Sequence, residues 1–260
     1  MDDGATIRAV IEAPIGWLIV DRPAMRGAMT RAMWLRLPRL LAEITADPDV
    51  RVIVVRGAAG HFIAGADIAE FKELRSNPGL AREYDRGADE TLDALAELSV
   101  PSIAMIEGAC MGGGCLIAFG CDLRIAADTA RLGIPAGRLG LAYPYKGIER
   151  LVTLLGEARA LELLLTSRTV DGAEAERMGL VQQCIPAAEI EHETRRTASD
   201  IARNAPLALR YARVAVQRSL PSRVAVDKIH ALADECFKSD DYAEGVAAFL
   251  EKRPPRFSGR

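Results

Sequence analysis

The chain has 260 residues, of which 50% are hydrophobic and 27% are charged, and its formal net charge is −3. This length predicts one large domain, or one domain with a small appendage. The near-neutral balance does not favour a nucleic-acid partner, because proteins that bind nucleic acid usually carry a clear basic excess.

Three features of the sequence indicate the cellular compartment: the cysteines, the amino terminus and the most apolar stretch. Five cysteines without a C-x-x-C pair argue against a disulfide framework and a zinc site, and they favour a reducing compartment. The start, MDDGATIRAV, lacks the basic residues and apolar block of a secretion signal. The apolar run 109–121 is too short and too rich in glycine to span a bilayer. We therefore expect a cytoplasmic protein without a metal and without a membrane partner.

Strands and helices alternate before residue 157, and helices dominate after it. This order is typical of an α/β fold with a helical appendage. Pro38 inside the first helical pattern predicts a kink or a late start, and the polar residues 75–90 predict a mobile segment. The predicted strands are 16–22, 50–57, 101–108 and 122–128, and the predicted helices are 30–46, 65–74, 89–98, a short one after Gly114, 157–167, 171–180 and a tail from about 188.

Two glycine-containing loops each follow a buried strand and lead into a helix: HFIAGAD at 61–67 and GACMGGG at 108–114. Glycine lets a backbone approach a ligand closely, and a helix amino terminus offers free N–H groups. If the two loops converge, two N–H donors can stabilise negative charge on a carbonyl oxygen. Either loop alone is equally explained by tight helix–strand packing. A dinucleotide loop is excluded because its third glycine would fall at Ile117.

The two loops and three further segments together resemble the crotonase family, the enoyl-CoA hydratase/isomerase superfamily. The resemblance covers nearly the whole chain and implies a spiral of ββα units over residues 1–200. It also implies a helical trimerisation region over 201–260, assembly as trimers or dimers of trimers, and an acyl-CoA thioester as ligand without another cofactor. The segments that carry it are VDRPAMRGAMT (20–30), VRGAAGHFIAGADIAEF (55–71), IEGACMGGGCLIAFGCDLRIAAD (106–128), SRTVDGAEAERMGLV (167–181) and DYAEGVAAFLEKRPPRF (241–257).

The resemblance also implies roles for individual residues. The backbone N–H groups of Ala64 and Gly113 correspond to the family's oxyanion hole. Asp67 is in addition suited to capping the helix that follows it. The positions that correspond to contacts with CoA are Met25, Arg26, Ala28, Ala66, Asp67, Ile68 and, reaching a neighbouring subunit's ligand, Phe249 and Lys252.

Two positions depart from the family's hydratases, which use a pair of glutamates. Leu116 and Ala136 stand in their places, and neither side chain can activate water or move a proton. Decarboxylation of a malonyl-type thioester needs no base, because loss of CO₂ itself creates the enolate. We therefore expect a lyase that decarboxylates a malonyl-type CoA.

Tyr143 supports the same expectation, because its loop resembles that of methylmalonyl-CoA decarboxylase, and a phenol can hold a carboxylate. That enzyme has a histidine in its AGHD loop where this chain has Ala66. Three alternatives stay open: an enoyl-CoA hydratase or isomerase with a base such as His61, Glu70 or Glu107, an acyl-CoA-binding protein without turnover, and a thioester hydrolase.

Overall fold

The computed structural model describes residues 6–67, 70, 78–139, 142–219, 235, 238–241, 244, 248, 251 and 253–260. The strands are β1 (Thr6–Glu12), β2 (Ile15–Asp21), β3 (Val52–Gly57), β4 (Ser102–Ile106), β5 (Ala109–Met111), β6 (Leu123–Ala127), β7 (Arg131–Gly133), β8 (Thr169–Asp171) and β9 (Gln183–Ile185). The helices are α1 (Arg31–Thr45), α2 (Pro78–Glu97), α3 (Gly113–Gly120), α4 (Tyr145–Leu155), α5 (Glu157–Thr166), α6 (Gly172–Met178), α7 (Ile190–Ala202) and α8 (Pro206–Ser219), with short 3₁₀ turns at Pro23–Met25 and Pro135–Leu139.

A six-stranded sheet in the order β1-β2-β3-β4-β6-β9 forms the centre of the fold. Only β1 and β2 pair antiparallel; the other neighbours are parallel. Along β3, Ile53 and Val55 belong to one apolar cluster and Val52 and Val54 to another, so both faces are covered. Continuous β-branched runs suit such doubly buried strands. The α/β class predicted from the sequence is confirmed.

A second, three-stranded sheet includes the segment that connects β4 with α3. Its strand order is β5-β7-β8, with β5 parallel to β7 and β7 antiparallel to β8. Each strand is only three residues long. Residues 114–120 of α3 are all buried. Because β5 belongs to the second sheet, this sheet fixes the position of the glycines that follow β5 and begin the buried helix α3.

Two predicted segments differ from the structure. Helix α1 starts at Arg31, where the Thr30 hydroxyl oxygen accepts the Met33 N–H at 3.3 Å, and it continues through Pro38. The late start is therefore wrong. The mobile stretch predicted at 75–90 is wrong from residue 78 onward, because helix α2 occupies Pro78–Glu97. Tyr84, Ala88, Leu92 and Leu95 recur at helical spacing and are buried, which supplies the packing that holds α2. Most of the predicted helix 65–74 lies outside the described residues.

Helix α8 is anchored to the core by Arg213, whose Nε donates to Asp122 at 2.8 Å and whose guanidinium also donates to the carbonyl of Leu98. The division into a core over 1–200 and an oligomerisation region over 201–260 stays a prediction. Among the residues that the structure describes, no helix is long and apolar enough to cross a membrane.

Candidate active site

The two glycine-containing loops lie side by side, where the parallel strands β3 and β4 end. The Ile63 N–H donates to the Ala109 carbonyl at 2.9 Å, and the Met111 N–H donates to the Ile63 carbonyl at 2.9 Å. These bonds form a parallel bridge between Ile63 and Cys110. The convergence predicted from the sequence therefore occurs, and the two loops form one hydrogen-bonded unit.

The three consecutive glycines allow α3 to begin against the 63–67 loop. A Cβ on Gly114 would lie 2.2 Å from the Ile63 carbonyl oxygen, so no side chain fits there. A Cβ on Gly113 would lie 3.0 Å from Cζ2 of Trp34 and 3.8 Å from the carbonyl carbon of Gly65. Gly112 has φ of +47°, a left-handed conformation that favours glycine. The glycines thus bring the start of a helix next to the peptide that joins Gly65 and Ala66.

The structure corrects the predicted oxyanion donor Ala64. Its N–H donates to the Arg26 carbonyl at 3.0 Å and is therefore already used within the fold. Gly65 follows with φ of +109° and redirects the chain. Among the described residues, no acceptor lies within hydrogen-bond reach of the N–H of Ala66 or of Gly113. Ala66, two positions later, and Gly113 are the two candidate donors.

Both candidate donors line a cavity of about 1010 Å³ with a largely apolar wall. Leu116 and Ala136 also line it, so the two positions that carry glutamate in the family's hydratases face this space. The cavity is lined by Trp34, Ala64, Gly65, Ala66, Tyr84, Asp85, Ala88, Asp89, Met111, Gly112, Gly113, Leu116, Ile134, Pro135, Ala136, Ala142, Tyr143, Pro144, Tyr145 and Lys146.

Tyr143 lies in the cavity wall as expected, but its hydroxyl already has a partner. It donates to the Gly112 carbonyl at 3.0 Å, the same oxygen that accepts the Leu116 N–H at 3.0 Å. Desolvation, followed by the neighbouring thiols of Cys115 and Cys110, raises the pKa of Tyr143 well above its ordinary value. The phenol therefore stays protonated and steadies the start of α3.

The segment predicted to contact CoA packs beside the 63–67 loop. The Met29 N–H donates to the Gly65 carbonyl at 2.8 Å. Met25 and Arg26 are exposed and Ala28 is buried, which leaves the first two side chains accessible to a ligand. Ile68, Phe249 and Lys252, predicted for the same role, lie outside the described residues.

The carboxylate of Asp67 serves the fold. It pairs with Arg22 at 2.6 Å, with both side chains about nine-tenths buried. It also accepts the Glu70 N–H at 3.4 Å, in agreement with the predicted capping role. The Asp67 N–H donates to the Met29 carbonyl at 2.9 Å. These bonds hold Ala66 in place from its carboxyl-terminal side.

The three residues suggested as substitute bases are engaged away from the cavity, and none is among its lining residues. Nδ1 of His61 accepts the Ala109 N–H at 3.3 Å. Oε2 of Glu70 accepts the backbone N–H of Arg31 at 2.7 Å. Glu107 lies 3.9 Å from Arg56. All three therefore have structural roles.

Asp85 and Asp89 line the cavity but were not among the predicted site residues. Asp85 fell in the stretch predicted to be mobile, and Asp89 was the first residue of the predicted helix 89–98. Helix α2 presents both on one face together with the buried Ala88. Lys146 also lines the cavity and binds both carboxylate oxygens of Asp93, on the same helix, at 2.7 Å. The apolar spacing within α2 was the available signal for this wall.

The sequence profile of the enoyl-CoA hydratase/isomerase family matches residues 11–260. The chain belongs to this family. It therefore falls in an acyl-CoA-processing superfamily, as the resemblance of its loops indicated. Within the described residues, no group of three or more histidine, cysteine or acidic side chains is arranged to hold a metal ion.

Curated relatives and solved structures agree with this membership. A Mycobacterium bovis protein named "Probable enoyl-CoA hydratase echA8" is 36% identical over 257 residues, which are 98% of each chain. The short-chain-enoyl-CoA hydratase of Clostridium acetobutylicum is 32% identical over 247 residues, or 93% of each chain. The crystal structure of an enoyl-CoA hydratase from Bacillus anthracis superimposes with a TM-score of 0.88 at 30% identity and covers 98% of this chain and 99% of its own. The last of these supports the crotonase fold.

Proposed function

We propose that this protein is an enzyme that binds an acyl-CoA thioester and stabilises its enolate with the N–H groups of Ala66 and Gly113. The observation that carries this proposal is the pair of N–H groups that have no acceptor among the described residues, held by bridged loops in the wall of one large cavity. Fixed donors aimed at a developing oxyanion contribute about 3–4 kcal/mol each in other enzymes.

Among reactions that pass through such an enolate, we propose hydration or double-bond isomerisation of an enoyl-CoA. Hydratases are the named activity of the relatives described above. The charge of the cavity supports the same choice. Asp85 and Asp89 line it, while the charge of Lys146 is offset by Asp93. An acyl group with its own carboxylate would meet like charges there.

Decarboxylation of a malonyl-type CoA, expected from the sequence, is the second candidate. It is favoured by Leu116 and Ala136, which face the cavity without any acid or base function. Tyr143 no longer supports it, because its hydroxyl is bound to Gly112.

A panel of three substrate types separates these reactions. Purified protein is incubated with crotonyl-CoA, with a 3-enoyl-CoA and with methylmalonyl-CoA, and products are identified by mass spectrometry. Formation of 3-hydroxyacyl-CoA or of the 2-enoyl isomer supports the proposal. Release of CO₂ from methylmalonyl-CoA alone supports the second candidate. Tight binding of all three without turnover contradicts an enzymatic role.

A further inference from the structure

Asp89 is the carboxylate in the cavity wall whose surroundings suit proton transfer. It lies in helix α2, half-buried, and it lines the cavity that contains the two candidate donors. Among the described residues, the carboxylate of Asp89 forms no hydrogen bond or ion pair. Asp85, the other acidic residue of this wall, is exposed. Asp93, one turn further along, is held by Lys146. Asp89 is therefore the half-buried acid that the fold leaves unused.

Helix α2 holds Asp89 rigidly, since it is fixed on both sides of this residue. One turn later, the bond from Asp93 to Lys146 ties α2 to α4. Five residues earlier, the Tyr84 ring meets Trp34 edge to face, with centroids 6.1 Å apart. Trp34 in turn lies against Gly113, one of the candidate donors. A catalytic group needs such support to stay in a productive position.

We propose that Asp89 is the catalytic acid/base residue that acts where the family's hydratases use glutamates. This inference rests on the proposed enoyl-CoA activity. The carboxylate comes from α2, on a different wall of the cavity from Leu116 and Ala136, so the two glutamates are functionally replaced by one residue at a new position.

One carboxylate is sufficient for hydration. Asp89 removes a proton from water as the water oxygen bonds to Cβ of the enoyl group. The π electrons move toward the thioester, whose oxygen becomes the oxyanion bound by the two N–H groups. When the enolate collapses, Cα takes the proton back from Asp89. The sum is addition of water across the double bond, with the carboxylate regenerated. For isomerisation, the same group removes a proton from C2 of a 3-enoyl-CoA and returns it to C4.

The test compares Asp89→Asn, Asp89→Glu and Glu90→Gln with the wild type. Glu90 is the neighbouring residue on α2, exposed and paired only with Arg86 at 3.6 Å among the described residues, so Glu90→Gln is the matched control. Steady-state rates are measured with crotonyl-CoA and a 3-enoyl-CoA, binding is measured calorimetrically with the saturated butyryl-CoA, and folding is checked by circular dichroism.

We expect Asp89→Asn to lower kcat at least about 100-fold, as loss of a general acid/base does, with affinity for butyryl-CoA unchanged. Asp89→Glu recovers turnover to within about tenfold of wild type, and Glu90→Gln matches wild type. A folded Asp89→Asn variant with a kcat within about threefold of wild type overturns the role of Asp89 and leaves the proposed function standing. A wild type that only decarboxylates methylmalonyl-CoA overturns the proposed function and the role of Asp89 together.

Discussion

The cavity has two walls that are built in different ways. The backbone wall, residues 63–67 and 111–114, offers N–H groups, and its shape depends on Gly114, where no side chain fits. The other, which we call the side-chain wall, consists of residues 84–89 and 142–146 and offers carboxylates, phenols and an amine.

The difference separates what the family shares from what varies in this chain. The bridged loops of the backbone wall retain the family's glycine pattern. Leu116 and Ala136 occupy the two positions at which the family's hydratases carry glutamates, so those carboxylates are absent. Asp85 and Asp89 instead place carboxylates on the side-chain wall. In the function proposed above, the backbone binds the enolate oxygen and the side chains determine the choice of reaction.

The largest effect is expected from filling the backbone wall. In Gly114→Val, the new Cβ falls 2.2 Å from the Ile63 carbonyl oxygen, so the loops must separate. We expect a loss of at least about 3 kcal/mol in the free energy of unfolding, measured by urea denaturation. Gly179→Ala is the control, since nothing lies within 4 Å of its Cβ and only its left-handed conformation, about 1 kcal/mol, opposes it. Equal losses for the two variants would contradict a steric requirement at Gly114.

A smaller loss is expected when the anchor of the backbone wall is cut. Asp67→Asn removes the Asp67 carboxylate from the Arg22 guanidinium, which is only 10% exposed. A hydrogen bond to a buried charge is worth about 2 kcal/mol, and we expect a destabilisation of that size by thermal melting, with weaker binding of butyryl-CoA. Asp200→Asn removes an exposed pair with Arg203 and should leave both quantities unchanged. If the two variants melt alike, the Arg22–Asp67 pair does not anchor the loop.

Adding a carboxylate tests whether the backbone wall is competent on its own. Ala136 is half-buried and lines the cavity, so Ala136→Glu places an acid/base group where the family's hydratases have one. We expect hydration of crotonyl-CoA to rise about tenfold, or 1.4 kcal/mol of barrier. Ala136→Gln has nearly the same shape without the charge and should show no gain. An equal gain from both variants would contradict a proton-transfer origin.

The smallest effect is expected at Tyr143. Tyr143→Phe removes one hydrogen bond to the Gly112 carbonyl, which still accepts the Leu116 N–H. We expect a loss of about 1 kcal/mol in stability and a drop in kcat of at most about fivefold, measured by melting and steady-state kinetics. A fall of a hundredfold or more with stability intact would show that the phenol acts on the substrate.

Local patterns were sufficient for much of the fold. The β-branched residues 52–55 predicted a buried strand. The glycines at 112–114 indicated a close backbone approach, which the structure shows between Gly114 and the Ile63 carbonyl, while their approach to a ligand stays a prediction. The three-residue strands β5, β7 and β8 were missed because so short a segment becomes a strand only through its pairing partners. Only the second half of α2 was predicted, as the helix 89–98, because the buried face of its first half includes the small Ala88 among many charged neighbours.

The sequence also could not predict which individual hydrogen bonds form in the candidate site. Ala64 and Ala66 flank Gly65 and are chemically identical, so composition cannot tell which N–H faces the cavity. The answer depends on the Arg26 carbonyl, which takes the Ala64 N–H, and on the positive φ of Gly65. Both are set by the meeting of segments that are far apart in the chain. Asp89 likewise could be assigned to the cavity only once the tertiary structure placed α2 in its wall.

The bridge between Ile63 and Cys110 gives the site an intrinsic reporter in hydrogen–deuterium exchange. The amides of Ile63 and Met111 are locked in that bridge, so their exchange follows the slow opening of the fold. The amides of Ala66 and Gly113 are only a few residues away and lack such protection. A ligand seated in the cavity should therefore slow exchange at two isolated amides while the bridged pair next to them stays as it was, which makes occupancy readable without any turnover.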